Sequence, residues 1–179
     1  ALRRGSVAES DRVLIVGAGL LGLSAAAGAR AAGAREVVIA DPSTIRRPLG
    51  AAFGATSAVA DVSDTARGFD LVIEASGSTE ATAAAIDRLA IGGRLVCVGA
   101  VLPVEKLEVD PEQLVRGRLT LAGVHNYLPE DLQVALKTLA PYSDALDELV
   151  DPPLSLEEFV EGGHAFREPR GSRACVRPT

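Results

Sequence analysis

A glycine-rich turn near the start of the chain limits its possible folds more than any other feature. The apolar run Arg12 to Val16 leads directly into Gly17 to Gly22 (GAGLLG), and an alanine-rich segment follows as far as about Ala32. Short continuous apolar runs are typical of strands buried on both faces, and an alanine-rich segment closed by Gly33 is typical of a helix. This order of strand, turn and helix predicts the first unit of a parallel α/β fold.

The glycines of the turn have separate physical roles in such a unit. Gly17 permits a tight turn, Gly19 leaves room for a pyrophosphate against the backbone, and Gly22 lets the helix pack closely on the strand. The start of the helix supplies free N–H groups and a partial positive charge, which attract phosphate. The glycines would also suit close packing alone, but their context favours a dinucleotide site that includes Leu20 and Leu21.

An acidic residue after the second apolar run indicates the kind of dinucleotide. Glu36 to Ala40 predicts a second strand, and Asp41 follows it about 20 residues beyond the last glycine of the turn. A carboxylate at this place accepts the ribose hydroxyls and repels a 2′-phosphate, so NAD is favoured over NADP. Two alternatives stay open. Asp41 with its following proline is also a common turn, and Arg46 and Arg47 could accept a 2′-phosphate, cover the adenine or face solvent.

The rest of the chain continues the alternation of strands and helices. Further strands are predicted at 57–60, 70–74, 94–98 and 118–122, with a short last strand at 173–176. Helices are predicted at 43–52, 79–90, 129–140 and 156–166. Such alternation indicates βαβ units with right-handed crossovers. We therefore expect an α/β Rossmann fold, a doubly wound six-stranded parallel sheet in three αβα layers, with residues 1–179 as a single NAD-binding domain.

Small residues follow the fourth and fifth predicted strands, where ligands of open α/β sheets bind. Gly77 and Gly99, with Val98 before it, would let the backbone approach a cofactor closely. Both glycines also suit ordinary turns. We include all three residues in the expected cofactor site.

Composition excludes several classes of function. The chain has a net charge of −6 and no dense basic run, so a nucleic-acid partner is not expected. Its apolar stretches are interrupted well before the roughly 18 residues that a membrane span needs. Cys97 and Cys175 lie in separate strand-like runs, which argues against a disulfide framework and favours a cytoplasmic location.

Residues for the chemistry of hydride transfer are hard to find. The two cysteines are not spaced as metal ligands, and His125 and His164 are isolated, so no metal site is expected in this chain. A Tyr-x-x-x-Lys pair is absent. His125 follows the sixth predicted strand and could face a nicotinamide, although a lining role is the simpler interpretation. The chain thus presents the cofactor half of an enzyme without its acid–base half.

Taken together, several segments resemble the cofactor domain of medium-chain, zinc-containing alcohol dehydrogenases. They are VLIVGAGLLGLSAAAGARAAGA, VVIAD, FGA, DLVIEASG, GGRLVCVG and the ending AFREPRGSRACVRP, and the likeness covers essentially all 179 residues. The stretch GVHNYLPEDL is similar to a subgroup of these enzymes associated with phosphonate metabolism.

The resemblance implies roles for individual residues. The residues implied to bind NAD are Gly17, Gly19, Gly22 and Asp41, with Val98, Gly99, Val124 and His125 at the nicotinamide and Arg173 near the pyrophosphate. It implies zinc ligands in an N-terminal catalytic domain outside this chain, with residues 1–10 and 167–179 as the segments that join it.

Two hypotheses about function follow. The chain is either the NAD(H)-binding part of an oxidoreductase that moves hydride between the cofactor and an alcohol, aldehyde or ketone, or a standalone NAD-binding or redox-sensing module. The ending GSRACVRP favours the enzyme, because the resembled family returns its chain to a catalytic domain there. The sixth predicted strand is apolar and free of proline, which invites pairing with a second copy. A homo-oligomer joined through that strand is therefore expected, as the resemblance also implies.

Overall fold

The structure is a computed structural model that describes residues 1–161 and 175–177. The chain forms two compact units, Ala1–Pro141 and Tyr142–Thr179. The first unit contains a six-stranded parallel sheet, which confirms the predicted fold class. Its strands are β1 (Arg12–Val16), β2 (Glu36–Ala40), β3 (Ser57–Val59), β4 (Phe69–Glu74), β5 (Leu89–Cys97) and β6 (Thr120–Gly123). Its α-helices are α1 (Leu20–Ala31), α2 (Thr79–Ile86), α3 (Pro111–Gly117) and α4 (Pro129–Leu139).

The strands lie in the order β3-β2-β1-β4-β5-β6. The sheet is therefore wound outwards in both directions from the central pair β1 and β4. Ligands of doubly wound sheets bind where the strand order reverses, at the carboxyl ends of the strands. The glycine-rich turn follows β1 at that point.

Both faces of the sheet are covered, as the wholly apolar strands require. Leu14 and Val16 of β1 belong to a buried cluster with Ile86 of α2, whereas Ile15 lies beneath Gly22 of α1 on the opposite face. Helices α1 and α4 contact each other. This arrangement gives the three layers expected from the sequence.

The segment after β2 differs from its prediction. An α-helix was expected at 43–52, but the structure has a 3-10 helix at Arg47–Phe53. Pro48 supplies no N–H for an α-helical bond, which favours the tighter turn. Ser43 still caps the preceding turn, because its Oγ accepts the N–H groups of Ile45 and Arg46 at 3.3 and 3.2 Å.

Helix α2 is shorter and β5 longer than expected. The helix was predicted to end at Ala90, yet it ends at Ile86 and β5 begins at Leu89. The Arg88 carbonyl accepts the N–H groups of Gly68 and Phe69 at 2.8 and 2.9 Å. These bonds draw the chain towards β4 before the helix can continue.

Helix α3 was not predicted, and it shifts the start of β6. The helix begins with Asp110 as its cap, which accepts the N–H of Glu112 at 2.8 Å, and with Pro111 in its first turn. These residue types favour a helix start. The helix ends at Arg118 in the left-handed conformation, so β6 begins at Thr120 and not at Arg118 as expected.

The second unit contains α5 (Ser143–Asp147), which was not predicted, and α6 (Leu156–Glu161). The predicted continuation of α6 to 166 lies outside the described residues, and so does Arg173. Val176 forms a parallel bridge with Leu154 in place of the predicted last strand. No helix in the described ranges is long and apolar enough to cross a membrane.

Candidate dinucleotide-binding site

The glycine-rich turn is held between three strands. Gly17 has a φ of 102°, a conformation that glycine adopts without strain. Its N–H donates to the carbonyl of Ala40 at 2.8 Å, which ties the turn to the end of β2. A Cβ on Gly22 would overlap the carbonyl oxygen of Gly17. Glycine is therefore required at both positions for α1 to lie close against the turn.

Gly19 has a different environment from the other two glycines. It caps α1, no side chain of the described residues bonds to the free N–H groups of the helix, and the first turn carries no acidic residue. Apart from its chain neighbours, a Cβ on Gly19 would meet no atom of the described residues within 4 Å. The N-terminus of a helix of 12 residues thus faces open space with its positive end available to an anion.

Asp41 lies beside this turn and is only 3% exposed. Its Oδ2 accepts the N–H of Ala18 at 2.7 Å, and its Oδ1 accepts the N–H of Ser43 at 2.8 Å. The carboxylate therefore links the end of β2 to the glycine turn. This is the relationship expected of a ribose acceptor at the second strand.

The two arginines that follow β2 both bind Asp41. Nη2 of Arg46 lies 3.3 and 3.4 Å from the two carboxylate oxygens, and Nη1 of Arg47 donates to the backbone carbonyl at 3.0 Å. The Arg46 side chain is 42% exposed. Its buried Nε has no partner among the described residues. A cation therefore stands next to the expected ribose site, an arrangement that the sequence left open.

The ends of β4 and β5 meet the turn through their glycines. A Cβ on Gly77 would lie 3.0 Å from the carbonyl oxygen of Gly99, and a Cβ on Gly17 would lie 3.1 Å from the N of Ser76. Gly77 has a φ of 74°. Three backbone segments from β1, β4 and β5 are therefore in close contact, as the predicted small residues suggested.

A cavity of about 1110 Å³ extends from this region between α1 and α4. Leu21 of α1 lines it together with residues at or just after the strand ends, namely Ala75, Val98, Gly123, Val124 and His125. Leu21 is 51% exposed and His125 is exposed as well. Of the four residues expected near the nicotinamide, Val98, Val124 and His125 line this cavity and Gly99 does not. Leu20, which begins α1, is half-buried.

Among the described residues, no side chain bonds to His125 in a way that would orient it as an acid or base. It belongs to the loop after β6, in which Asn126 has a φ of 59°. Asparagine tolerates this left-handed conformation better than most residues. The geometry fits the lining role more simply than a catalytic one.

Glu74, the last residue of β4, was not assigned a role from the sequence. It is 1% exposed and its Oε1 accepts the N–H groups of Ser76 and Gly77, both at 2.6 Å. The signal in the sequence was one acidic residue at the end of the otherwise apolar run LVIE. The buried carboxylate thus contacts the loop that in turn contacts the glycine turn.

Cys97 is not placed for metal or nucleophilic chemistry. Burial raises the pKa of its thiol, and the nearby charge of Glu74 raises that pKa further. The protonated thiol is a poor ligand and a poor nucleophile. In the described ranges, no three His, Cys, Asp or Glu side chains are grouped so that they could hold a metal ion.

Comparisons with known proteins agree with the resemblance noted in the sequence. The family model of zinc-binding dehydrogenases matches residues 21–141. The L-threonine 3-dehydrogenase of Streptomyces coelicolor is 42% identical over 168 residues, which cover 88% of this chain and 46% of that protein. The chain thus spans about half the length of that relative.

Solved structures share the fold. An alcohol dehydrogenase from Thermotoga maritima superposes with a TM-score of 0.86 at 23% identity, over 97% of this chain and 51% of that one. A zinc-binding dehydrogenase from Sinorhizobium meliloti, bound to NADP, gives a TM-score of 0.79 at 24% identity, over 99% of this chain and 54% of that one. At these identities the likeness concerns the fold alone.

Proposed function

This chain belongs to the zinc-binding dehydrogenase family, and we propose that it is the NAD(H)-binding domain of an oxidoreductase acting on alcohols and their carbonyl products. One observation carries the proposal. The uncapped N-terminus of α1 faces open space at Gly19, beside the buried carboxylate of Asp41. A phosphate acceptor and a ribose acceptor therefore lie side by side, linked by the bond from the N–H of Ala18 to Asp41.

The residues fit the two halves of a dinucleotide. The pyrophosphate would lie over the N-terminus of α1, where the backbone of Gly19 allows close approach and Leu20 begins the helix. The adenosine ribose would bind Asp41, and the nicotinamide would lie in the cavity next to Val98 and His125. We also propose Leu21, Gly77, Gly99 and Val124 as contacts, together with Arg173, which lies outside the described residues.

NAD is the cofactor that we propose in preference to NADP. The carboxylate of Asp41 can accept hydroxyls but places negative charge beside a 2′-phosphate. Arg46 offsets part of that charge, but its side chain is 42% exposed, so solvent screens its attraction for a phosphate. The hydroxyl-accepting carboxylate therefore dominates the selection. The preference is a difference in affinity and does not exclude NADP.

The substrate chemistry depends on residues outside this chain. The cofactor supplies or accepts the hydride at the nicotinamide, and the substrate hydroxyl must lose its proton to a base or a metal-bound group. We propose that the zinc ligands of the whole enzyme lie in the part of its relatives that this chain does not match. The residues of this chain then bind and orient the cofactor, and they line one side of the substrate cleft.

We further propose that two copies join through β6. That strand is an edge of the sheet, and an edge strand offers unpaired backbone groups to a second chain. Thr120 lies exposed on it. A cytoplasmic location and the subgroup suggested by GVHNYLPEDL stay predictions.

Titration of the 179-residue chain with NADH tests the proposed function. NADH fluorescence should rise to saturation at one cofactor per chain, and ADP-ribose, which has the pyrophosphate and ribose but no nicotinamide, should compete. The same chain should not bind double-stranded DNA, which controls for unspecific anion binding. A chain that shows no saturable NADH binding would contradict the proposal.

A further inference from the structure

Glu74 is a buried carboxylate that the proposed function does not use. It ends β4, between β1 and β5 in the middle of the sheet, and is 1% exposed. No arginine or lysine in the described parts of the chain forms an ion pair with it. A buried charge without a counter-ion is costly unless hydrogen bonds stabilise it. The groups that donate hydrogen bonds to Glu74 therefore indicate its role.

Within the described residues, the Glu74 side chain bonds to the loop that follows it. Oε1 accepts the N–H and the Oγ–H of Ser76 at 2.6 and 2.8 Å, and the N–H of Gly77 at 2.6 Å. Bonds of this length to a carboxylate are typical of charge-assisted hydrogen bonds, which are about twice as strong as neutral ones. Two successive backbone N–H groups thus point inward at Glu74 and away from the cleft.

The backbone of Glu74 binds the neighbouring strand end. Its carbonyl oxygen accepts the N–H groups of Val98 and Gly99 at 2.8 and 3.1 Å. One residue therefore fixes the loop after β4 through its side chain and the end of β5 through its main chain.

The loop is packed closely against the glycine turn and the end of β5. A Cβ on Gly17 would lie 3.1 Å from the N of Ser76, and a Cβ on Gly99 would overlap the N of Gly77. Ala75, the first residue of the loop, lines the cavity expected to hold the nicotinamide. A loop released from Glu74 would therefore press on the pyrophosphate turn on one side or enter the cavity on the other.

We propose that Glu74 is a positioning residue for the dinucleotide, which holds the Ala75 to Gly77 loop clear of the cofactor and so sets the shape of the cleft between Gly17 and Gly99. This role rests on the proposed function. Glu74 touches no cofactor atom itself in this view; it acts through the backbone of the loop.

The test compares Glu74→Gln with two controls in the 179-residue chain. Glutamine keeps the size and one acceptor oxygen but loses the charge and buries an amide N–H₂. Ser76→Ala keeps both backbone N–H bonds to Glu74 but removes the hydroxyl bond to it, together with the bond that Ser76 Oγ accepts from the N–H of Ser78 at 3.1 Å. Ile86 is buried at the end of α2, away from the loop. Ile86→Val leaves a small cavity there and so lowers the stability of the fold without changing the loop. NADH affinity, melting temperature and the amide proton resonances of residues 76 and 77 are measured for each.

We expect Glu74→Gln to move both amide resonances upfield and to weaken NADH binding roughly tenfold. Ser76→Ala should change the affinity less than about threefold. Ile86→Val should lower the melting temperature with the affinity of the folded chain unchanged. If Glu74→Gln does not fold, the wild-type chain still supplies a test, because NADH should slow hydrogen exchange of these two amides about tenfold or more.

The outcomes separate this role from the proposed function. Wild-type affinity in folded Glu74→Gln, or wild-type amides whose exchange NADH does not change, overturns the role of Glu74 alone. Failure of the wild-type chain to bind NADH overturns the proposed function and this role with it. A fall in affinity that Ile86→Val reproduces at equal loss of stability would show that Glu74 acts only on the fold.

Discussion

The guanidinium of Arg46 lies 3.3 Å from Oδ1 and 3.4 Å from Oδ2 of Asp41. The carboxylate that we propose as the ribose acceptor is thus already paired with a cation, in addition to the backbone N–H groups of Ala18 and Ser43. A carboxylate has about four acceptor positions. Ribose hydroxyls must therefore share the carboxylate with Arg46 or displace its guanidinium.

The first prediction concerns the choice of cofactor. NADH should bind more tightly than NADPH, and Asp41→Ser should narrow the difference by about 1–2 kcal/mol, the scale of hydrogen bonds to a charged group. Titration calorimetry with both cofactors measures the two affinities. Equal affinities in the wild-type chain would contradict the role of Asp41.

The second prediction separates Arg46 from Asp41. Arg46→Gln leaves the carboxylate without its cation, so the repulsion of a 2′-phosphate should increase. NADPH affinity should fall roughly five- to tenfold while NADH affinity changes less than about threefold. Arg116→Gln is the matched control, because Arg116 is exposed on α3 and, within the described part of the chain, pairs with Glu112. An equal loss for both cofactors would mean that Arg46 contacts a part that they share.

The third prediction uses two glycines of one turn. Gly19→Ala should fold with nearly wild-type stability, since its Cβ meets no protein atom within 4 Å and its φ of −78° is ordinary. NADH affinity should nevertheless fall at least about tenfold, because the methyl group occupies the pyrophosphate space. Gly22→Ala should instead lower the melting temperature, since its Cβ overlaps the Gly17 carbonyl. Unchanged NADH binding by Gly19→Ala would place the cofactor elsewhere.

The sequence was sufficient for the parts of the fold that local patterns determine. The bounds of β1 and β2 agree with their apolar runs, and the glycine turn and Asp41 lie together as their spacing indicated. Tertiary contacts decided the rest. Helix α2 ends early because the carbonyl of Arg88 accepts hydrogen bonds from Gly68 and Phe69 at the start of β4. Such a contact between distant segments cannot be predicted from the periodicity of apolar residues.

The site shows the same division between local and distant causes. The role of the glycines could be predicted from their residue type and spacing. The ion pair of Arg46 with Asp41 could not, because it depends on a 3-10 turn that was expected to be an α-helix. Glu74 was overlooked because two of its three donors are backbone N–H groups, those of Ser76 and Gly77. Backbone donors leave no pattern in the sequence of side chains.

The fourth prediction concerns assembly. We expect a dimer by light scattering, and Thr120→Lys should shift it towards monomer, because a charged side chain on an edge strand opposes pairing. Ser57→Lys is the matched control, since Ser57 is exposed on β3 at the other edge of the sheet. If Ser57→Lys disrupts the dimer and Thr120→Lys does not, the interface lies at β3 and not at β6. A monomeric wild-type chain would contradict the interface altogether.

The last prediction is that the 179-residue chain binds NADH but oxidises no alcohol. Binding needs the turn, the start of α1 and Asp41, which lie next to one another in the first unit. Turnover also needs a substrate held at near-attack distance from the nicotinamide and a group to take its proton. Among the described residues that line the cavity, His125 is the best candidate for the group that takes this proton, and it lies exposed in a loop. NADH fluorescence should therefore rise on mixing, while the absorbance of reduced nicotinamide stays flat with NAD and an alcohol. Turnover that is lost in His125→Ala, with NADH affinity retained, would show that this histidine is catalytic and that the chain carries its own acid–base group.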